Sequence, residues 1–126
     1  MPTFTVETDR RCQAVDVTER VESALPADAN GTATIFVQHT TAGVAVNEAE
    51  SRLLGDFESM LTDLVPDDGW DHDRLDGNAD AHLRTLLLGP GETVPVDDGD
   101  LSLGTWQSVL LVECDGPRQR TVTVRA

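Results

Sequence analysis

With 126 residues, 39% of them hydrophobic, and a formal charge of -14, the chain has the length of one domain spanning 1–126 and enough apolar content for a packed core, with its acids interspersed instead of gathered in a tail. All nine basic residues are Arg against 23 Asp and Glu, and the longest basic cluster is Arg10-Arg11, so the basic face that nucleic acid requires is missing. No apolar run nears the roughly 20 residues of a membrane span, and MPTFTVETD lacks the basic start and apolar stretch of a signal peptide, so a cytoplasmic protein with no membrane partner is expected.

TFTVET (3–8) alternates as a half-buried strand does, and QAVDV continues as a second extended run. A helix is predicted from Thr18, with Asp16 and Glu19 as its capping box, Val21, Ala24 and Leu25 on its apolar face, and Pro26 at its end. TATIFVQHT, rich in β-branched residues, is predicted to be a buried strand that leaves His39 at its edge. The run EAESRLLGDFESMLTDLVP then sets Leu53, Leu54, Phe57, Met60, Leu61 and Leu64 at helical spacing for core packing, and Gly55 is expected to mark a close approach.

DDGWDHDRLDGN is a turn-rich loop. ADAHLRTLLLG follows as a short helix with Asn78 as N-cap and Gly89 as stop. TVPV and LSL are predicted strands around an Asp-Asp-Gly-Asp turn, followed by QSVLLVE, a DGPR turn and RTVTVR. Strands at both ends with two or three helices between them predict an α+β fold: a largely antiparallel sheet or sandwich with two to three helices packed on it.

Chemistry concentrates in two stretches. WDHDRLDGNADAH holds two of the three histidines, His72 and His82, among acids; QHTTAGVAVNE holds the third, His39, with Thr40, Thr41, Asn47 and Glu48 close behind. His72 and His82, ten positions apart, match no metal motif such as HExxH, so only folding would unite the three rings. If united, they form a site for a divalent metal or an anion, with Asp71, Asp73, Asp80 and Glu48 available to orient the imidazoles; otherwise they are surface histidines in an acidic loop. Three imidazoles suit zinc better than magnesium, which prefers oxygen ligands. The helix start at 78–82 offers free N–H groups to a phosphate, with Arg84, Arg118 and Arg120 as candidate clamps, although Asp80 at that start is also explained by the helix dipole. GTWQ reads as a bulge with an aromatic core anchor. Cys12 and Cys114 form no CxxC and are expected as buried free thiols, a reactive Cys114 being the alternative.

Taken in order, QHTTAGVAVNE, LVPDDGWDHD, GNADAHL, LLGPGETVPV and LSLGTWQSVLLVECDGPR resemble the YjbQ family, sometimes labelled secondary thiamine-phosphate synthase, over nearly the whole chain. The resemblance implies a small α+β subunit forming a homotrimer, with a cleft near the subunit interface. Its motif positions fall on His39, Thr40, Thr41, Asn47, Glu48, His72, Asp80, His82, Gly104, Thr105, Trp106, Gln107 and Glu113. It also implies a transferase that joins a pyrimidine pyrophosphate to a thiazole phosphate. Combined with the residue reading, the expected roles are His39, Glu48 and Asp80 in catalysis, Thr40, Thr41, Asn47, Asn78, Gln107 and Arg118 in binding the phosphorylated substrate, and His39, His72 and His82 around zinc or magnesium. A non-catalytic metabolite- or metal-binding trimer and a metal-assisted hydrolase are the alternatives. The chain departs from the family pattern after Asn47-Glu48, where NEAESR lacks the usual Asp-Pro. Its acid-rich, Lys-free surface resembles that of proteins from a salty cytoplasm and predicts salt-dependent folding.

Overall fold

The computed structural model describes residues 2–126. Eight strands and three helices run in the order β1 (Thr3–Glu7), β2 (Gln13–Asp16), α1 (Thr18–Ser23), β3 (Gly31–Val37), β4 (Ala42–Asn47), α2 (Ser51–Leu64), α3 (Ala79–Leu88), β5 (Gly91–Asp97), β6 (Asp100–Leu101), β7 (Ser108–Glu113) and β8 (Gln119–Arg125). A 3-10 turn, Asp71–Arg74, precedes α3. All pairings are antiparallel. One sheet has the order β1-β8-β3-β5-β6 and the other β2-β7-β4, so the α+β expectation holds as two curled sheets with helices.

The period-2 pattern explains the layering. Val109 and Leu111 of β7 join Ile35, Val37, Val94, Val96, Val122 and Val124 in the core between the sheets, while Leu110, Val112 and Cys114 point the other way, against Leu61 of α2 and Ala81 of α3. A central strand covered on both faces reads as an unbroken apolar run, which is why SVLLVE shows no alternation. Helix α2 lies on β2 and α3 on β4. The approach of α3 to β4 is close enough to require a glycine: a Cβ on Gly43 would stand 2.7 Å from the Gly89 carbonyl oxygen.

Several local expectations are corrected. QAVD is a strand, but it joins β7 in the second sheet instead of extending the first. AGVAVN, unassigned above, is β4; its small residues hide the strand signal. Helix α1 has no capping box. Its N-cap is Val17, and Asp16 instead accepts from the Thr18 amide and hydroxyl at 3.0 and 2.6 Å. Helix α2 starts after Glu50, whose carboxylate accepts from the Arg52 amide at 2.7 Å. On α2, Leu61 is buried and Leu53, Leu54 and Phe57 are half-buried, but Met60 and Leu64 are exposed. Gly55 has open space where a Cβ would stand, so it marks no close approach. Trp106 is 73% exposed and anchors no core; its GTWQ turn closes on itself through the Gln107 side chain, which accepts from the Gly104 amide at 2.8 Å.

Candidate functional site

The chain crosses from one sheet to the other at one end of the sandwich, where β3 leads to β4 and β7 leads to β8. The interior there ends in polar groups instead of aliphatic ones. Inward-facing Glu113 is fully buried and pairs with inward-facing Arg120, which also donates to the Thr41 carbonyl and to its hydroxyl at 3.1 and 2.8 Å. The Thr8 hydroxyl donates to Glu113 at 2.8 Å, and the amides of Cys114 and Asp115 donate to its second oxygen at 3.1 and 3.4 Å. Both charges thus have opposite partners and hydrogen bonds, the condition under which a buried ion pair is tolerated. Gly116, on the cis Gly116–Pro117 bond, closes over this pair: a Cβ there would lie 2.2 Å from the Arg10 carbonyl oxygen.

Above the pair opens a cleft of about 1010 Å³, bounded by Gln38–Thr41, Asn78, His82, Asp115 and the segment from Pro117 to Arg120, with Phe36 and Pro90 as its apolar wall. His39 is half-buried at its floor, and the Thr121 amide donates to His39 Nε2 at 3.2 Å. A bond of that sense fixes the tautomer: Nε2 carries no proton, and the neutral ring presents Nδ1–H. Burial lowers the His39 pKa, and the nearby positive charges of Arg120 and Arg118 lower it further against the opposing effect of Glu113. Arg118 donates to Asp115 through Nε and Nη2, at 2.8 and 3.1 Å, a pairing that does not use Nη1. Asp115 also receives the Asn78 amide at 2.9 Å and Arg11 at 3.1 Å. Its burial opposes ionisation, yet these bonds hold its pKa below the ordinary carboxylate value. Asn78 Oδ1, turned away from Asp115, is buried and has no hydrogen-bond partner among the described residues.

Among the predicted residues, His39, Thr40, Thr41, Asn78, His82 and Arg118 meet in the cleft. His72 stands behind it, its ring edge-on to His82 with centroids 4.9 Å apart, and its Nδ1 is buried with no hydrogen-bond partner among the described residues. The three imidazoles therefore form two neighbouring relations, His39 with His82 across the cleft and His82 with His72 in ring contact, instead of one shared point. Among the described residues no three His, Cys, Asp or Glu side chains gather as a metal-binding group, and His39 Nε2 is engaged by an amide. Of the expected ligand set, His72 and His82 are in ring contact, and His39 faces the cleft with its Nε2 on the Thr121 amide.

Asn47, Glu48, Gly104, Trp106 and Gln107 lie elsewhere. Strand β4 pairs Ala42 with Glu113 and Asn47 with Ser108, so its length, about 17 Å at 3.4 Å per residue, separates them from the cleft. Asp80 is not exposed in the cleft either: it is fully buried, accepting from Arg84 and, at 2.7 Å, from Arg11. Arg84 is likewise no phosphate clamp. It is buried, and it donates to the carbonyls of Leu61 and Val65 at 2.9 and 2.7 Å, stapling α3 to the carbonyl end of α2, where a cation is favoured by the dipole. Asn78 is the N-cap residue of α3 but makes no side-chain cap bond; Asp73 accepts from the first free amide, Ala79, at 3.3 Å. A carboxylate thus already occupies the helix start that the sequence offered to a phosphate. The sequence reading missed Asp115 and the Thr121 amide: DGPR reads as a turn, and a main-chain donor leaves no trace in residue type. The i,i+4 spacing of Asp80 and Arg84 was the available signal for their pair.

The family model described as UPF0047 protein YjbQ-like matches residues 2–126. UPF0047 proteins of Methanothermobacter thermautotrophicus and Archaeoglobus fulgidus are 46% and 45% identical, the matches covering 94% and 98% of this chain and 85% and 98% of theirs. A hypothetical protein of Aeropyrum pernix superposes with a TM-score of 0.94 at 48% identity, over 98% of this chain and 95% of its own. A YbjQ-like protein of unknown function from Sulfolobus solfataricus gives 0.90 at 39% identity, over 98% and 92%. Two antiparallel sheets with three helices packed on them, closed by a polar end, define the class of fold. The chain belongs to the YjbQ/UPF0047 family. Among its described residues no helix is long and apolar enough to cross a membrane.

Proposed function

We propose that the cleft binds a small phosphorylated molecule and that the protein is a small-molecule transferase resembling secondary thiamine-phosphate synthase, joining a pyrimidine pyrophosphate to a thiazole phosphate with release of pyrophosphate. The observation that carries this reading is the position of a neutral His39 beside Arg118 and Arg120, which brings two guanidinium groups to one cleft in a chain of charge -14. Arg118, exposed and with Nη1 outside its pairing to Asp115, is the group able to meet a phosphate by a charge-assisted bond. Depression of the His39 pKa keeps its ring neutral near pH 7, so that it donates from Nδ1 without adding charge, while His82 lines the opposite wall.

Asp80 acts in this reading as a positioning residue, holding α3 and its Asn78 and His82 through Arg84 and Arg11. Glu48, Asn47 and Gln107 reach a bound substrate only if another copy brings that end of its sheet to the cleft. The homotrimer implied by family resemblance would allow this, and the exposed Leu86, Leu87 and Trp106 offer apolar surface for assembly. A divalent ion, if bound, would enter from His82 and His72, whose Nδ1 is the available donor; the residues of this chain otherwise bind, orient and exclude water. That donor also favours the second reading, a trimer that binds a metabolite or metal without turnover.

The direct test incubates the protein with the pyrimidine pyrophosphate and the thiazole phosphate. Thiamine phosphate formed well above the level of His82→Ala supports the synthase. Equal, background formation by both removes the transferase and leaves a binding protein. A mixture of His39→Ala and Glu48→Ala subunits that regains activity neither variant shows alone would establish sites shared between copies.

A further inference from the structure

The two cysteines, remote in sequence, are brought opposite each other by the register of β2 and β7. That ladder pairs Gln13 with Glu113, Ala14 with Val112, Val15 with Leu111 and Asp16 with Leu110. One further step places Cys12 against Cys114. The strands remain joined just beyond that step, shifted by one residue as at a bulge, since the Gly116 amide donates to the Arg11 carbonyl at 3.0 Å. Hydrogen-bond alternation fixes the kind of pair. The Val17 amide donates to the Val109 carbonyl at 2.9 Å, so 17/109, 15/111 and 13/113 are the hydrogen-bonded pairs, and 14/112 and 12/114 the non-hydrogen-bonded ones. In agreement, the Cys114 amide points away from β2 and donates to the Thr41 carbonyl of the neighbouring strand at 3.1 Å. Facing residues at a non-hydrogen-bonded position share one side of the sheet with Cα atoms about 4.5 Å apart, inside the span of roughly 4.4–6.8 Å that a disulfide bridges.

Both sulfurs lie under α3. Arg84 Nη1 reaches Cys12 Sγ at 3.9 Å, and Cys114 packs with Ala81 and Leu61. Their accessibility differs: Cys12 is half-exposed and Cys114 fully buried. Burial pushes the Cys114 thiol up to about 11, and the neighbouring Cys12 opposes its ionisation further, so the buried sulfur waits as a protonated thiol while the outer one meets solvent reagents.

We infer that Cys12 and Cys114 form a cross-strand dithiol that closes reversibly to a disulfide, with Cys12 as the attacking sulfur and Cys114 as the resolving one. The oxidant is a low-molecular-weight disulfide. Cys12, as thiolate, attacks one sulfur of the reagent and expels the other as a thiolate, giving a mixed disulfide. Cys114 then attacks Cys12 Sγ, its proton passing to the departing thiolate, and expels the second half of the reagent. The protein loses two protons and two electrons, and the reagent leaves as two thiols. Closure ties β2 to β7 beneath the Arg84 staple that positions α3 and hence His82.

The test exposes the full chain to oxidised glutathione, quenches by alkylation in denaturant and measures intact mass and a non-reducing peptide map. Loss of both alkylatable thiols, a mass lower by two hydrogens, a Cys12–Cys114 linked peptide within one chain and recovery of both thiols with dithiothreitol are expected. Cys114→Ser should stop at a stable glutathione adduct on Cys12, and Cys12→Ser should keep Cys114 unmodified. A wild type that retains both thiols, stops at the one-glutathione adduct or cross-links only between chains overturns the inference, and the wild-type measurement stands whether or not either variant folds.

Discussion

The two ends of the three-stranded sheet carry the same kinds of residue and differ in what surrounds them. At the Glu113 end, His39, Thr41 and Arg120 are held by buried charges and by amides and carbonyls of other strands. At the Ser108 end, the polar residues bond mainly within their own turn: Asn47 accepts from the Glu48 amide at 2.8 Å, and Gln107 from Gly104. One end is built around long-range contacts and encloses a cleft; the other is exposed, with a Trp on its surface. A list of polar residues in sequence does not distinguish preorganised groups from locally satisfied ones. Their partners do.

The largest expected effect breaks the comparison at its base. Arg120→Leu leaves Glu113 buried and unpaired and should destabilise the fold by about 3–5 kcal/mol in denaturant melts, whereas Gln107→Ala at the exposed end should change stability by no more than about 0.5 kcal/mol. Equal losses would erase the distinction between the ends. Next in size is Glu50→Ala, which removes the α2 cap just beyond the exposed end; a lower melting midpoint is expected.

Acidity sharpens the contrast further. Because the His39 pKa is lowered, the folded state binds fewer protons there than the unfolded chain does. Its contribution to stability is complete above about pH 6.5 and declines as pH falls toward the folded value. Any rate that needs the neutral ring should have an acidic limb with its midpoint below 6.5, and Arg118→Ala, by removing one of the depressing charges, should move that limb upward; an unmoved limb would detach Arg118 from His39. Asp115 has the same sign: with its folded pKa lowered, its contribution persists above the unfolded value and disappears as pH falls through the folded one. The smallest effect is diffuse. Raising salt from low to molar should raise the melting temperature by screening the net charge of -14, and an unchanged temperature would contradict the salt-dependent reading.

Much of the fold was legible because its signals are periodic. Alternation in TFTVET and RTVTVR, the spacing from Leu53 to Leu61, and Gly89 as a stop for α3 all depend on near neighbours. What was not legible depends on register. AGVAVN became a strand only because β7 offers it an edge, and Met60 and Leu64 are exposed because no element covers their side of α2. The same holds for the site. His39, Asn78 and Arg118 could be named from residue type, but the division of the polar motif between two ends of β4, the capture of Asp80 by Arg84 and Arg11, and the meeting of Cys12 with Cys114 follow from which residues face each other across strands.

The central claim is that the His39–Arg118 corner is the anion-binding end of the molecule. Calorimetric titration of inorganic pyrophosphate into the wild type and Arg118→Ala, at matched salt, tests it most directly. Losing one charge-assisted hydrogen bond, about 1.5–3 kcal/mol, should weaken binding by at least about tenfold. Equal affinity of the two proteins, or no binding by the wild type, would contradict the account.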